Sequence, residues 1–262
     1  MSESAGKALD ILFYLANVGE GVSLARLSKE TGMNKATALR YLNVLESKGV
    51  VERCLSGWTL GLSLFELGSK VPVRQLVAEK VRPIIERLAR ESGESVNLAY
   101  LAGETAIYLD RAEANRSLRM RSMPGDRLPL YCTGVGKAIL SQLSEERIRA
   151  ILGPGPLPKI TESTYTDPDE IICEAGRARE SGYGIDREEF EIGLTCYAMP
   201  LRLPGSDFVG AISISGPTAR MKNPEIRDRF LALLAQAVQD ATDVLSPSHH
   251  FEDPPKKPEG CA

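Results

Sequence analysis

The sequence predicts an α+β protein in two folded parts: a winged helix-turn-helix over residues 1–68 and a larger, mainly antiparallel α+β domain over residues 93–246. Three observations predict it. Within the first sixty residues, three stretches with helical spacing precede two short strand-like runs. Beyond residue 95, strand and helix patterns mix without a regular βαβ repeat. The chain has 262 residues, 43% hydrophobic and 26% charged, which is enough apolar material for more than one core.

The first helix is predicted over 7–17, where Ala8, Leu9, Leu12, Leu15 and Ala16 recur at helical spacing before Gly19 and Gly21. Ser23 is the candidate N-cap of a second helix over 24–31, closed by Gly32. Asn34 is the candidate cap of a third, 35–47, stopped at Lys48-Gly49. The turn Gly32-Met33-Asn34 is short enough to set the second and third helices at a steep angle, so that the third can project into a DNA major groove. Runs 50–54 and 58–60, separated by Leu55-Ser56-Gly57, suit a hairpin wing.

Residues 69–92 read as a linker helix that leads into the second domain. There, strands are predicted over 96–101, 106–109, 118–123, 194–201 and 208–215, and helices over 134–142, 144–152, 167–181 and 223–245. The stretch 247–262, with Pro247, Pro254, Pro255 and Pro258, reads as a disordered tail.

Composition excludes several classes. No run approaches the ~18 consecutive apolar residues of a membrane span, and Met1-Ser2-Glu3-Ser4 does not open a signal peptide, so a cytoplasmic location is expected. The net charge of −3 makes the chain a poor candidate for nonspecific coating of nucleic acid. Residues 1–70 carry eight basic against seven acidic side chains, and the remainder 24 against 28. DNA contact must therefore come from a few well-placed cations, doubled by dimerisation. The five cysteines (Cys54, Cys132, Cys173, Cys196, Cys261) form no C-x-x-C pair, which argues against a zinc ribbon or a disulfide framework. The only histidines, His249 and His250, lie in the tail, so no Ser-His-Asp or Cys-His arrangement and no His-ligated metal is expected in the folded body. No cofactor is expected: no GxGxxG occurs, and around Gly136-Lys137 the P-loop fails, with Tyr131 in the first glycine position and Ala138 after the lysine.

On the third helix Ala38, Leu42 and Leu45 are spaced to face the core. Lys35, Thr37, Arg40 and Tyr41 lie toward its N-terminal part, from which recognition helices reach base edges. Arg40 can fork onto a guanine, and Lys35 and Tyr41 suit phosphate or edge contacts. Arg26 on the preceding helix and Arg53 in the hairpin are candidates to grip the backbone. Taken singly, each is also an ordinary solvated side chain.

The chain resembles the IclR family of transcription regulators from about Lys7 to Leu245. Its N-terminal part carries Ala8-Leu9-Asp10-Ile11-Leu12, Asn34-Lys35-Ala36-Thr37-Ala38-Leu39-Arg40-Tyr41-Leu42 and Trp58-Thr59-Leu60-Gly61. More specific are Gly125-Asp126-Arg127-Leu128-Pro129-Leu130 with Thr133-Gly134-Val135-Gly136-Lys137-Ala138, and Gly182-Tyr183-Gly184-Ile185-Asp186-Arg187-Glu188-Glu189. Gly193-Leu194-Thr195-Cys196-Tyr197-Ala198 and Gly210-Ala211-Ile212-Ser213-Ile214-Ser215-Gly216-Pro217 complete the set. Two departures are Trp58, where the family usually has a smaller aromatic, and Lys7, where it often has Arg.

The resemblance implies a GAF-like effector-binding domain and a homodimer, or dimer of dimers, on a near-palindromic double-stranded operator. Carried over position by position, it implies an apolar wall of Met120, Leu128 and Leu194, backbone amides from Gly134 and Val135, and polar contacts from Asp186, Cys196, Ser213 and Ser215. The residues agree in part: Ser213 and Ser215 share one strand face, as do Leu194 and Cys196. Such a pocket suits a small aliphatic or aromatic organic acid. Met120, Leu128 and Leu194 as plain core, and Cys196 as a small buried hydrophobe, are the competing assignments. Lys137 is expected to point outward on a helix surface. Repression is the working expectation, with activation open. The rival function is a redox sensor or thiol enzyme using Cys132 or Cys196, which needs a thiolate favoured by Arg127 or Lys137.

Overall fold

The computed structural model describes residues 3–70, 72–113, 123–203 and 206–246. The chain divides into two compact units that part between Pro72 and Val73. In the first, α1 (Glu3–Val18), α2 (Leu24–Glu30) and α3 (Lys35–Ser47) precede a hairpin of β1 (Val51–Cys54) and β2 (Gly57–Leu60). Ser23 Oγ caps α2 through the Arg26 N–H, and Asn34 Oδ1 caps α3 through the Thr37 N–H at 2.8 Å. Ala38 and Leu42 of α3 are fully buried with Ile11, Leu15, Leu27 and Val51, and Leu45 packs at the edge of this core. On α1 the buried face centres on Ile11 and Leu15, whereas Leu9 is half exposed, so the helix is rotated from the face expected of its leucines. Trp58 and Val22 exchange backbone N–H···O bonds of 2.8 Å, which ties the wing to the segment before α2. A further short helix, α4 (Ser63–Ser69), was not evident from the sequence.

The second unit begins with α5 (Val73–Ser92), which occupies most of the stretch expected as a linker. Its Val77, Val81, Ile85 and Leu88 are buried with Phe230 and Leu234 of α10 (Pro224–Leu245), so α5 is part of this unit's core. Six antiparallel strands follow in the order β5-β4-β3-β8-β7-β6. They are β3 (Ser95–Ala102), β4 (Thr105–Ala112), β5 (Arg127–Pro129), β6 (Gly184–Arg187), β7 (Leu194–Arg202) and β8 (Val209–Pro217). One face carries Val96, Leu98, Ile212 and Ile214 against α5 and α10. The other carries Ala99, Tyr108, Ala198 and Ala211, packed with residues of α6 (Gly134–Leu140), α7 (Glu145–Leu152) and α8 (Pro168–Ser181). A short helix α9 (Thr218–Met221) links β8 to α10. The β3–β4 register shifts at Leu98/Ala99: Asn97 opposes Arg111 while Ala99 opposes Tyr108.

The expected strand over 118–123, apart from Met123, and the tail from 247 lie outside the described residues, as does Met120. No helix among the described residues is long and apolar enough to cross a membrane.

Candidate functional site

Two sets of residues are brought together, one in each unit. In the first, Lys35 and Arg40 are exposed on α3, and Thr37 and Tyr41 are half-buried beside them. The Arg40 guanidinium lies 5.4 Å from the centre of the Tyr41 ring. A hydrogen bond from Ser4, followed by the effect of nearby Arg40, holds the Tyr41 hydroxyl below its ordinary pKa. Arg26 pairs with Glu20 at 3.2 Å and Arg53 with Glu46 at 3.2 Å, both well exposed. Exposed pairs of this kind are held weakly, because water and salt screen them. Arg53 also lies 4.5 Å over the Trp58 ring, so the large aromatic in the wing supports a cation there.

In the second unit, strand register brings Asp186, Leu194, Cys196, Ser213 and Ser215 onto one buried face. Asp186 opposes Cys196, Cys196 opposes Ser215, and Ser213 lies two residues along β8 on the same side. Asp186, Leu194, Ser213, Ser215 and Leu128 are all buried, as is Cys196. Helix α6 covers this face closely. A Cβ on Gly134 would stand 3.1 Å from Cys196 Cβ, and one on Gly184 would stand 2.6 Å from the Ala138 nitrogen, so glycine permits the approach of helix to strand. Thr133 caps α6 by accepting the Gly136 N–H at 3.1 Å. Gly134 and Val135 form the first turn, whose N–H groups have no partner within the helix.

Asp186 accepts the Glu189 backbone N–H at 2.8 Å. Burial raises its pKa to about 7; the neighbouring Glu189 carboxylate adds to the rise, and the backbone hydrogen bond and Lys137 oppose it. One residue missed from the sequence belongs with this cluster: Asn97, fully buried on β3, donates from Nδ2 to Ser213 Oγ and Ser215 Oγ, each at 3.3 Å. The available signal was its position as the one amide in the otherwise apolar run Val96–Leu101.

Lys137 does not lie on the helix surface as expected. It is 1% exposed and reaches Glu189 Oε1 at 2.5 Å and Glu174 Oε2 at 3.6 Å, with its ammonium 5.1 Å from the Tyr165 ring centre. It turns inward because a buried carboxylate from the loop after β6 and another from α8 compensate the buried cation. A cleft of about 470 Å³ opens beside it, lined also by Tyr165, Glu174, Arg177, Tyr183 and Arg187; none of the serine–aspartate cluster lines it.

The two candidate thiols, Cys132 and Cys196, do not suit thiolate chemistry. Burial raises the Cys132 thiol to about 12; Asp186 and Glu189 add to that, and Lys137 opposes them only in part. Burial, then Asp186, likewise raises the Cys196 thiol, and Arg127 is hydrogen-bonded to Thr105 Oγ1 at 3.1 Å instead. Neither thiol is poised as a thiolate. Among the described residues no group of His, Cys, Asp and Glu could hold a metal ion.

A winged helix-turn-helix followed by a ligand-type domain with a buried polar cluster defines a DNA-binding transcription regulator. The model of the IclR helix-turn-helix domain matches residues 4–54, and that of the bacterial transcriptional regulator IclR C-terminal domain matches residues 70–243. The chain belongs to the IclR family of transcriptional regulators. It is similar to the regulator BhcR of Paracoccus denitrificans, 33% identical over 242 residues that cover 92% of this chain and 85% of that one. It is also similar to the transcriptional repressor IclR of Escherichia coli, 31% identical over 244 residues, covering 92% and 89%. These relatives are transcription regulators, and the two matching domains make this chain a transcription regulator of the same family. The Thermotoga maritima IclR crystal structure superimposes with a TM-score of 0.59 at 28% identity, covering 94% of this chain and all of that one. An IclR homologue from Microbacterium hydrocarbonoxydans, crystallised with 4-hydroxybenzoate, shares the fold at 22% identity with a TM-score of 0.60, covering 93% and 99%.

Proposed function

We propose that the protein is a cytoplasmic repressor whose hold on a near-palindromic operator is controlled by a small organic acid bound in the second unit. The observation that carries this is the convergence of Asp186, Cys196, Ser213 and Ser215 on one buried sheet face beneath the first turn of α6. In the bound state the Gly134 and Val135 amides and the serine hydroxyls donate to the carboxylate, and Leu128 and Leu194 form the apolar wall. The 4-hydroxybenzoate held by the Microbacterium homologue is an acid of this kind. In the first unit Lys35, Thr37, Arg40 and Tyr41 read the groove, and Arg26 and Arg53 hold phosphates.

Control follows from linkage. In a dimer or dimer of dimers, an effector that prefers one arrangement shifts the distance between recognition helices, and half-sites about one helical turn apart, ~34–36 Å, accept only one such distance. The experiment is selection from a random duplex library at near-physiological salt, followed by anisotropy titration of the enriched sequence with and without organic acids. An enriched inverted repeat bound in the nanomolar range, and weakened by an acid, is the expected result. Binding that never enriches, or that disappears as salt rises, refutes sequence-specific recognition. Arg40→Ala should lower affinity for the enriched operator by about 1–3 kcal/mol; an unchanged affinity removes Arg40 from the reading set.

A further inference from the structure

We propose that Asn97 contacts the effector directly, and that the effector carries a hydrogen-bond donor, a hydroxyl or an amide N–H, in addition to its acid group. This rests on the organic-acid assignment above and adds the second recognition element.

Asn97 is fully buried in β3, one of the two central strands of the six-stranded sheet, with apolar neighbours Val96, Leu98 and Ala99. Its amide is divided. Both donor contacts from Nδ2 go to the serines of the effector cluster, at 3.3 Å each, while Oδ1 is buried and accepts no hydrogen bond from the protein. Buried acceptors are nearly always paired, so a buried Oδ1 that accepts nothing from the protein calls for a partner. The strand ladder shows what can. Ser213 opposes Asn97 on β8, and Asn97, Ser213, Ser215, Cys196 and Asp186 occupy the same side of the sheet. A ligand held by the serines is therefore beside the Asn97 amide.

The hydrogen-bond inventory then divides the work. Each serine oxygen accepts from Asn97, so its own O–H is directed elsewhere and can donate to the acid's oxygens. The carbonyl of Asn97 cannot donate, so it recognises a ligand atom that bears a proton. An unsubstituted fatty or aromatic acid satisfies the serines and leaves Oδ1 without a partner. A hydroxy acid or an amide-bearing acid satisfies both. Sites built around a buried polar group reject analogues that lack its complement more strongly than apolar pockets reject an extra or missing methylene.

The test uses the full chain and calorimetric titration with a panel of C2–C8 carboxylic acids, aliphatic and aromatic, each offered with and without a hydroxyl. The wild-type protein is expected to bind at least one hydroxylated acid tenfold or more tightly than its deoxy counterpart. Asn97→Leu, close in shape and without the amide, should erase that preference, so that hydroxy and deoxy acid bind the variant equally whatever the loss both suffer from freeing Ser213 and Ser215. Pairs of equal affinity in the wild type overturn the proposal whether or not the variant folds. A preference that survives Asn97→Leu, or one for the keto analogue over the hydroxy acid, also overturns it. Binding of no acid at all refutes the organic-acid assignment itself, a different outcome from binding both members of each pair equally.

Discussion

Asp186 makes the stability of the second unit depend on pH in a direction opposite to that of an ion-paired carboxylate. Its pKa rises from an ordinary 3.8 to about 7 in the folded chain, chiefly through burial. A folded pKa above the unfolded one means that the stabilisation is fully present below pH ~4, declines as pH rises, and is gone above pH ~7. At about 1.4 kcal/mol per unit, the whole span amounts to ~4 kcal/mol, and the accessible window from pH 5.5 to 8 covers ~2 kcal/mol of it. Asp186→Asn removes the titration while keeping an oxygen to accept the Glu189 N–H. The difference in unfolding free energy between variant and wild type should therefore move by about 2 kcal/mol in the variant's favour from pH 5.5 to 8. Urea unfolding followed by near-UV circular dichroism in the tyrosine band measures this, since six of the eight tyrosines, Tyr100, Tyr108, Tyr131, Tyr165, Tyr183 and Tyr197, lie in this unit, and only Tyr14, Tyr41 and Trp58 lie in the other. A variant-minus-wild-type difference that stays constant across the range would refute the raised pKa.

Other perturbations follow from the same geometry. Lys137→Met leaves Glu189 and Glu174 buried without their shared cation and should lower stability by about 3–5 kcal/mol; Lys137→Met with Glu189→Gln should lose less than the two changes summed, and strict additivity in a double-mutant cycle would show that the pair does not interact. In the native protein, iodoacetamide followed by peptide mass spectrometry should label Cys54, which is exposed and whose thiolate is favoured by hydrogen bonds from Ser56, well before Cys132 and Cys196; early labelling of either buried thiol would reopen the redox alternative.

Much of the first unit was legible because its signals are local. Ser23 and Asn34 each stand next to the N–H groups they cap, and Ala38, Leu42 and Leu45 declare their face within a few turns. The same held for β3, β7 and β8, whose apolar runs are long enough to recognise. β5 and β6 have three and four residues, too few for a period to emerge, and they form because longer neighbours supply the ladder. Lys137 was misplaced for a different reason. Its burial depends on Glu174 and Glu189, which lie 37 and 52 residues further along the chain, and no local pattern announces such a meeting. The effector residues came from the resemblance, and only the alternation of Ser213 with Ser215 and of Leu194 with Cys196 was visible in the residues themselves.

The irregularity between β3 and β4 also sets the electrical character of the sheet face beneath α6. Counted by strict alternation from Tyr108, the next side chain on that face would be Asp110. The shift directs Asp110 instead toward α5, where it meets Arg82 at 2.6 Å, and brings Arg111 into line with Asn97. One extra residue thus takes Asp110 off the side where an acidic ligand is proposed to bind and puts Arg111, ion-paired with Glu113 at 3.2 Å, there instead, without changing any side chain. In this strand, phase decides which charged side chain shares a face with Asn97, and an insertion or deletion there would exchange Arg111 for a neighbour.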